Sequence, residues 1–130
     1  MNTVLVCLLI AVLLPYVLAF TGSYHKGRQF GKVDNNNPRA QSAQLTGVGA
    51  RAVAAQQNAW EALAVFTASL AAAFFAGVEA ASLALPTLIF VAARIAHAGC
   101  YLADLASARS GAFLVATVAC LWIFAKAIGA

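Results

Sequence analysis

The residues able to do chemistry in this otherwise apolar chain fall into three groups. They are Arg51, Gln56, Gln57, Asn58 and Glu61, then Arg94, His97, Tyr101 and Asp104, then Arg109 with Ser110. At about 100° per residue on a helix, Arg51, Asn58 and Glu61 fall within an arc of roughly 80°. Arg94, Tyr101 and Asp104 repeat that spacing, with His97 inside the arc. A charged side chain at the centre of a membrane helix costs about 2.5–3.5 kcal/mol, so it turns into the bundle and finds a partner. Glu61 and Arg94 each lie about 16 Å from the same end of their helices, and direct pairing between them is expected. As a pair alone they read as a buried ion pair that fixes helix register. The Asn, Gln, His, Tyr and further Arg beside them exceed what one pair needs, and a polar cluster open to one side has the form of a binding site. Taken singly, His97 also reads as a satisfied buried histidine and Tyr101 as packing with a tethered hydroxyl.

Positioning such a cluster falls to transmembrane helices. The 130 residues are 63% hydrophobic and 9% charged, against about 25% charged in soluble domains. Twelve charged side chains cannot cover a water-soluble surface. The expected fold is all-α, an integral membrane four-helix bundle in a single domain over 1–130, with helices at about 2–24, 46–78, 83–105 and 110–128. Each reaches the roughly 20 residues that a crossing needs. Val17-Leu18-Ala19 loosely fits a signal-peptide cleavage site, but the positive charge follows the apolar stretch instead of preceding it, so the segment reads as a retained helix. Pro15 is tolerable inside it, and Pro86 is expected in the first turn of the third helix. Residues 25–44 form the one clearly polar stretch, with Asp34-Asn35-Asn36-Asn37-Pro38 as a turn.

Lys26, Arg28, Lys32 and Arg39 gather in that first loop, whereas no Lys or Arg lies between the second and third helices. This bias places the loop in the cytoplasm and both termini on the outside. The net charge of +4 is therefore a topology signal; without interleaved exposed aromatics it gives no case for nucleic acid. Cys7, Cys100 and Cys120 sit in apolar segments without metal-type spacing, so no metal is expected.

Arg51-x6-Asn58-x2-Glu61, followed by Arg94-x2-His97-x3-Tyr101-Leu102 and Arg109-Ser110, resembles the membrane-associated proteins in eicosanoid and glutathione metabolism, the MAPEG family. The third-helix stretch is most similar to the prostaglandin E synthase branch, and Asp34 to Arg39 looks like its bacterial members. The resemblance implies a homotrimer, with glutathione as co-substrate between neighbouring subunits near the cytoplasmic side. By position, Asn58, Glu61, His97 and Tyr101 match glutathione contacts, and Arg109 with Ser110 match the catalytic pair near the thiol. Arg51, Gln57 and Arg94 complete the expected binding set. Departures are Ala54 and Gln57 where the family usually shows basic residues, Ala64 where Pro is common, and Phe113 where the branch carries Tyr. The turn before Arg109 is also one residue shorter. Fewer cations imply weaker anion binding.

These readings, with the likeness of Asp34 to Arg39 to bacterial members, lead to a glutathione-dependent transferase or peroxidase in a bacterial inner membrane, both termini periplasmic. Its partners would be the lipid bilayer, glutathione and a hydrophobic small-molecule electrophile. The alternative is a non-catalytic membrane protein that keeps the fold. A small transporter is disfavoured, because the four helices show no inverted repeat.

Overall fold

The computed structural model describes residues 2–130, and among them it is helical apart from turns, with no strand. Helix α1 spans Asn2–Phe30, a short α2 spans Pro38–Ala43, α3 spans Gly47–Phe75, α4 spans Ala80–Leu102 and α5 spans Ala106–Ile128. The four long helices are each long and apolar enough to cross a membrane. Around the bundle, α1 packs on α3, α3 on α5, α5 on α4 and α4 on α1, while α3 and α4 also meet across the short diagonal. That diagonal contact brings together the two helices that carry most of the polar residues.

The elements differ from expectation at their ends. Helix α1 continues beyond residue 24 to Phe30 because its last turns find partners on the loop. Lys26 Nζ donates to the Pro38 carbonyl at 2.9 Å, and Gln29 Nε2 donates to the Gln44 carbonyl at 3.0 Å. Gly31, at φ 78°, then turns the chain out of the helix. In the loop, Asp34 Oδ1 accepts the backbone N–H groups of Asn36 at 2.9 Å and Asn37 at 3.1 Å. This Asx turn delivers Pro38 to the start of α2, where its missing N–H leaves no bond unmade.

Helices α3 and α4 end alike. After α3, the Val78 N–H reaches the Ala73 carbonyl at 3.0 Å and the Gly77 N–H reaches Phe74 at 3.1 Å. After α4, the Leu105 N–H reaches Cys100 at 2.9 Å and the Asp104 N–H reaches Tyr101 at 3.3 Å. Both are Schellman stops, which need a left-handed residue. Gly77 supplies it at φ 74° in one, and Asp104 at φ 62° in the other. The stop at Asp104 ends α4 at Leu102, before residue 105, and lets α5 begin at Ala106, ahead of residue 110. Helix α4 also starts at Ala80, so Pro86 lies in its second turn rather than its first. Both Pro86 and Thr87 are fully buried there, and Thr87 Oγ1 donates to the Leu83 and Ala84 carbonyls at 2.9 Å.

Small residues set the helix spacing. At Gly49 of α3, an added Cβ would come within 2.8 Å of the His25 Cβ on α1. Alanines 52, 55 and 59 are buried along the same helix, as expected where helices approach through small side chains. Farther along, Phe66 of α3 stacks on Phe90 of α4 with centroids 4.0 Å apart, amid Cys7, Ala119, Cys120 and Ile123. The outer faces carry exposed Leu9, Phe20, Leu114, Val118 and Leu121, which suit hydrocarbon better than water.

Candidate functional site

Two neighbouring cavities open beside α3, α4 and α5. The polar one, about 380 Å³, is lined by Asn58, His97, Tyr101, Arg109, Ser110, Phe113 and Leu114. The apolar one, about 260 Å³, has walls of Ala62, Val65, Phe90, Phe113, Ala116 and Cys120, with Asn58, Glu61, Arg94 and Thr117 supplying its polar atoms. Asn58 and Phe113 belong to both and form their shared wall. Helix periodicity explains the split. Residues 109, 110 and 113 lie in the opening turns of α5, and 116, 117 and 120 come one to two turns later on the same side.

Within the polar cavity an aromatic and cationic chain runs from α5 to α4. The Arg109 guanidinium lies over the Tyr101 ring at 4.4 Å. Tyr101 meets His97 edge to face at 5.5 Å, and His97 meets Phe113 at 6.4 Å. Only 3% of His97 is exposed, and its Nδ1 has no partner within the protein. Arg94 is equally buried; one guanidinium nitrogen donates to Asn58 Oδ1 at 2.8 Å while the other is unpartnered. Buried polar atoms are normally satisfied, so two orphans at cavity walls mark places where a polar ligand would complete the hydrogen bonding.

The expected ion pair between Glu61 and Arg94 is absent among the described residues; Arg94 binds Asn58 instead. The reason is facing. Arg51 Nε donates to the Leu102 carbonyl at 3.2 Å, which aligns α3 with α4 at that point. From there Asn58 lies about 10 Å and Glu61 about 15 Å along α3, both within reach of Arg94 at about 12 Å along α4. Glu61 stands exposed on the outside of the chain, whereas Asn58 turns toward α4. The clustering holds for Asn58, Arg94, His97, Tyr101, Arg109 and Ser110, and Glu61 reaches the apolar cavity from its rim.

Two residues go elsewhere. Arg51 closes the end of α4, pairing with Asp104 at 3.6 Å in addition to its bond to Leu102. A cation is well placed at that carbonyl-rich terminus. Gln57 faces a separate groove against α1 and α2. The earlier start of α5 also changes the setting of Ser110. It is the fifth residue of the helix, and its hydroxyl donates to the Ala106 carbonyl at 3.1 Å. The Arg109 N–H is already bonded to the Leu105 carbonyl at 2.9 Å, so the free N–H groups of α5 lie before the Arg109–Ser110 pair.

Sequence reasoning passed over Phe90, Thr117 and Cys120 as lining residues, because apolar positions in a membrane helix carry no signal that separates cavity from core. It also read Lys26 as part of the loop's topology signal, whereas the structure holds it within α1. Only 7% of Lys26 is exposed.

Among the described residues no cluster of His, Cys, Asp or Glu could hold a metal ion. No curated protein and no solved structure matches the chain. The sequence pattern of the MAPEG family matches residues 3–129, nearly the whole length, and the four membrane-length helices accord with it. This chain belongs to the MAPEG family.

Proposed function

We propose that this protein is a glutathione-dependent enzyme, a transferase or peroxidase acting on lipophilic electrophiles. The observation that carries the reading is the shared wall of Asn58 and Phe113 between a polar cavity and an apolar one. Glutathione has two carboxylates, an amine, two amides and a thiol. Arg109 in the polar cavity offers a cation to its anionic groups, His97 Nδ1 is an unpartnered polar atom on the same wall, and the unpartnered Arg94 nitrogen adds a donor from the adjoining cavity. The Phe90, Val65 and Ala116 walls offer an apolar second substrate a place adjacent to it. A thiol ionises near pKa 8.5, and a neighbouring guanidinium favours the thiolate. In the transferase reaction the thiol proton leaves to water, the thiolate sulfur forms a bond to an electrophilic carbon, and the bond from that carbon to its leaving group breaks, the electron pair departing with the leaving group. Where the sulfur adds to a conjugated double bond, the π pair shifts instead and is protonated by water. Arg109 is the residue we assign to holding that anion. Ser110 joins it only if its hydroxyl turns from the Ala106 carbonyl.

The surface supports the rest of the reading. Glu61 and Gln57 stand exposed on α3, a helix that crosses the membrane, and a carboxylate facing lipid is costly. A neighbouring copy of the chain over this face would cover them, in keeping with a homotrimer. Our assignment of the α1–α3 loop to the cytoplasmic side rests on its basic residues, that of a bacterial inner membrane on the likeness of Asp34 to Arg39 to bacterial members, and that of the prostaglandin E synthase branch on the stretch from Arg94 to Leu102.

A non-catalytic role is the second reading, favoured by the commitment of Ser110 to its own helix and of Arg109 to the Tyr101 face. Heat stabilisation of the purified protein by glutathione, followed by consumption of glutathione with an apolar electrophile, separates the two. Stabilisation without turnover supports the second reading, and absence of stabilisation removes the first.

A further inference from the structure

On the side of α3 away from the paired cavities, a groove of about 630 Å³ is lined by Lys26 of α1, Pro38, Arg39 and Ser42 of α2, and Val53, Gln56, Gln57 and Trp60 of α3. It contains two cations and no carboxylate. Lys26 is nearly buried, yet its single hydrogen bond is to the Pro38 carbonyl. An ammonium carries three donors, and burying a cation without an anion costs several kcal/mol. The Asp34 carboxylate in the same loop is already engaged by Asn36 and Asn37. The amides of Gln56 and Gln57 make no hydrogen bond to another described residue, although they stand in a membrane-crossing helix.

The groove also has a graded polarity. Its cations lie at the loop end, its amides come next, and Trp60 lies about 20 Å along α3 from Gly47. Trp60 meets Tyr16 of α1 edge to face at 5.2 Å. Alongside, exposed Leu13, Val17 and Phe20 make α1's outer face apolar.

We propose that this groove binds a phosphate-bearing anion through Lys26 and Arg39, with the Gln56 amide as a further donor. The chemistry is shared by an anionic phospholipid headgroup and by free phosphate. The site stands apart from the glutathione reading, since Lys26, Arg39 and Gln56 line neither of the paired cavities and lie outside the expected glutathione set.

The test is thermal unfolding and titration of the full chain, purified in neutral detergent, with phosphatidylglycerol, phosphatidylcholine or inorganic phosphate. Phosphatidylglycerol is expected to stabilise the protein, and loss of one charge-assisted contact in Arg39→Gln to weaken it about tenfold. Arg39 is exposed, so this variant folds even where Lys26→Gln does not. Stabilisation by inorganic phosphate with the same dependence on Arg39 identifies free phosphate as the source. Equal stabilisation by phosphatidylcholine, no response to either anion, or an unchanged response in Arg39→Gln overturns the proposal.

Discussion

Arg94 and Asn58 are held together by one charge-assisted hydrogen bond in a place where the buried Arg94 cannot turn to water. Asn58→Ala should therefore destabilise the protein by about 1.5–3 kcal/mol, since it leaves a buried guanidinium without its acceptor. Glu61→Gln should cost less, because the carboxylate is exposed and lacks that bond. A double-mutant cycle followed by unfolding in detergent gives the decisive comparison. Coupling of Arg94 to Asn58 should exceed its coupling to Glu61, and the reverse order would reinstate the ion pair. Residue types and helical spacing were enough to bring Asn58, Arg94, His97, Tyr101, Arg109 and Ser110 to common cavities. They were not enough to choose Arg94's partner, because Asn58 and Glu61 share one arc of α3 and the choice depends on how that helix is rotated about its axis, which turns Asn58 toward α4 and leaves Glu61 exposed.

A different kind of charge sets the loop between α1 and α3. The backbone N–H groups of Asn37 and Asn36 hold the Asp34 carboxyl below its ordinary value. A carboxylate with a depressed folded pKa stabilises the turn fully above its unfolded pKa, and that contribution fades as pH falls through the lower folded value. Proteolysis within residues 31–45 should accordingly rise under acid in the native chain. Asp34→Asn should remove the acid dependence, and an identical acid profile in the two proteins would assign the ordering to other contacts.

At the level of helices, the stops and close approaches make separate demands. Asp104 is a non-glycine residue in the left-handed region, which costs about 1–2 kcal/mol for a residue with a Cβ. Its ion pair with Arg51 is 73% exposed on the Asp side, so losing it costs little. Asp104→Gly should leave stability level or raise it, while Asp104→Val should lower it. Thermal unfolding of both variants measures the difference. Gly49 makes the opposite demand through space rather than dihedral angle. Gly49→Ala drives a methyl into His25, and overpacking of this kind costs about 1–3 kcal/mol. Unchanged stability would mean that α1 and α3 separate freely at this level. The four crossings were readable from apolar length alone. Their ends were not, because stops at Gly77 and Asp104 depend on backbone handedness and because α1 is extended by loop contacts made through Lys26 and Gln29.

For the molecule as a whole, the outward side of α3 is the informative surface. An assembled homotrimer predicts that native mass measurement in detergent returns three copies, and that cysteines introduced at Glu61 cross-link or become shielded. A monomer with freely labelled positions at Glu61 would remove the covering neighbour from the functional reading. The basic loop predicts that a reporter fused after Ala130 is active only on the periplasmic side.

Asn58 and Phe113 are walls of two rooms at once. Any occupant that changes the rotamer of either side chain in one room alters the shape of the other. The two occupancies are therefore energetically linked, and the linkage is reciprocal: the factor by which an apolar compound changes the affinity for the polar ligand equals the factor by which the polar ligand changes the affinity for that compound. Phe113→Ala, which opens the partition, should bring that factor toward one.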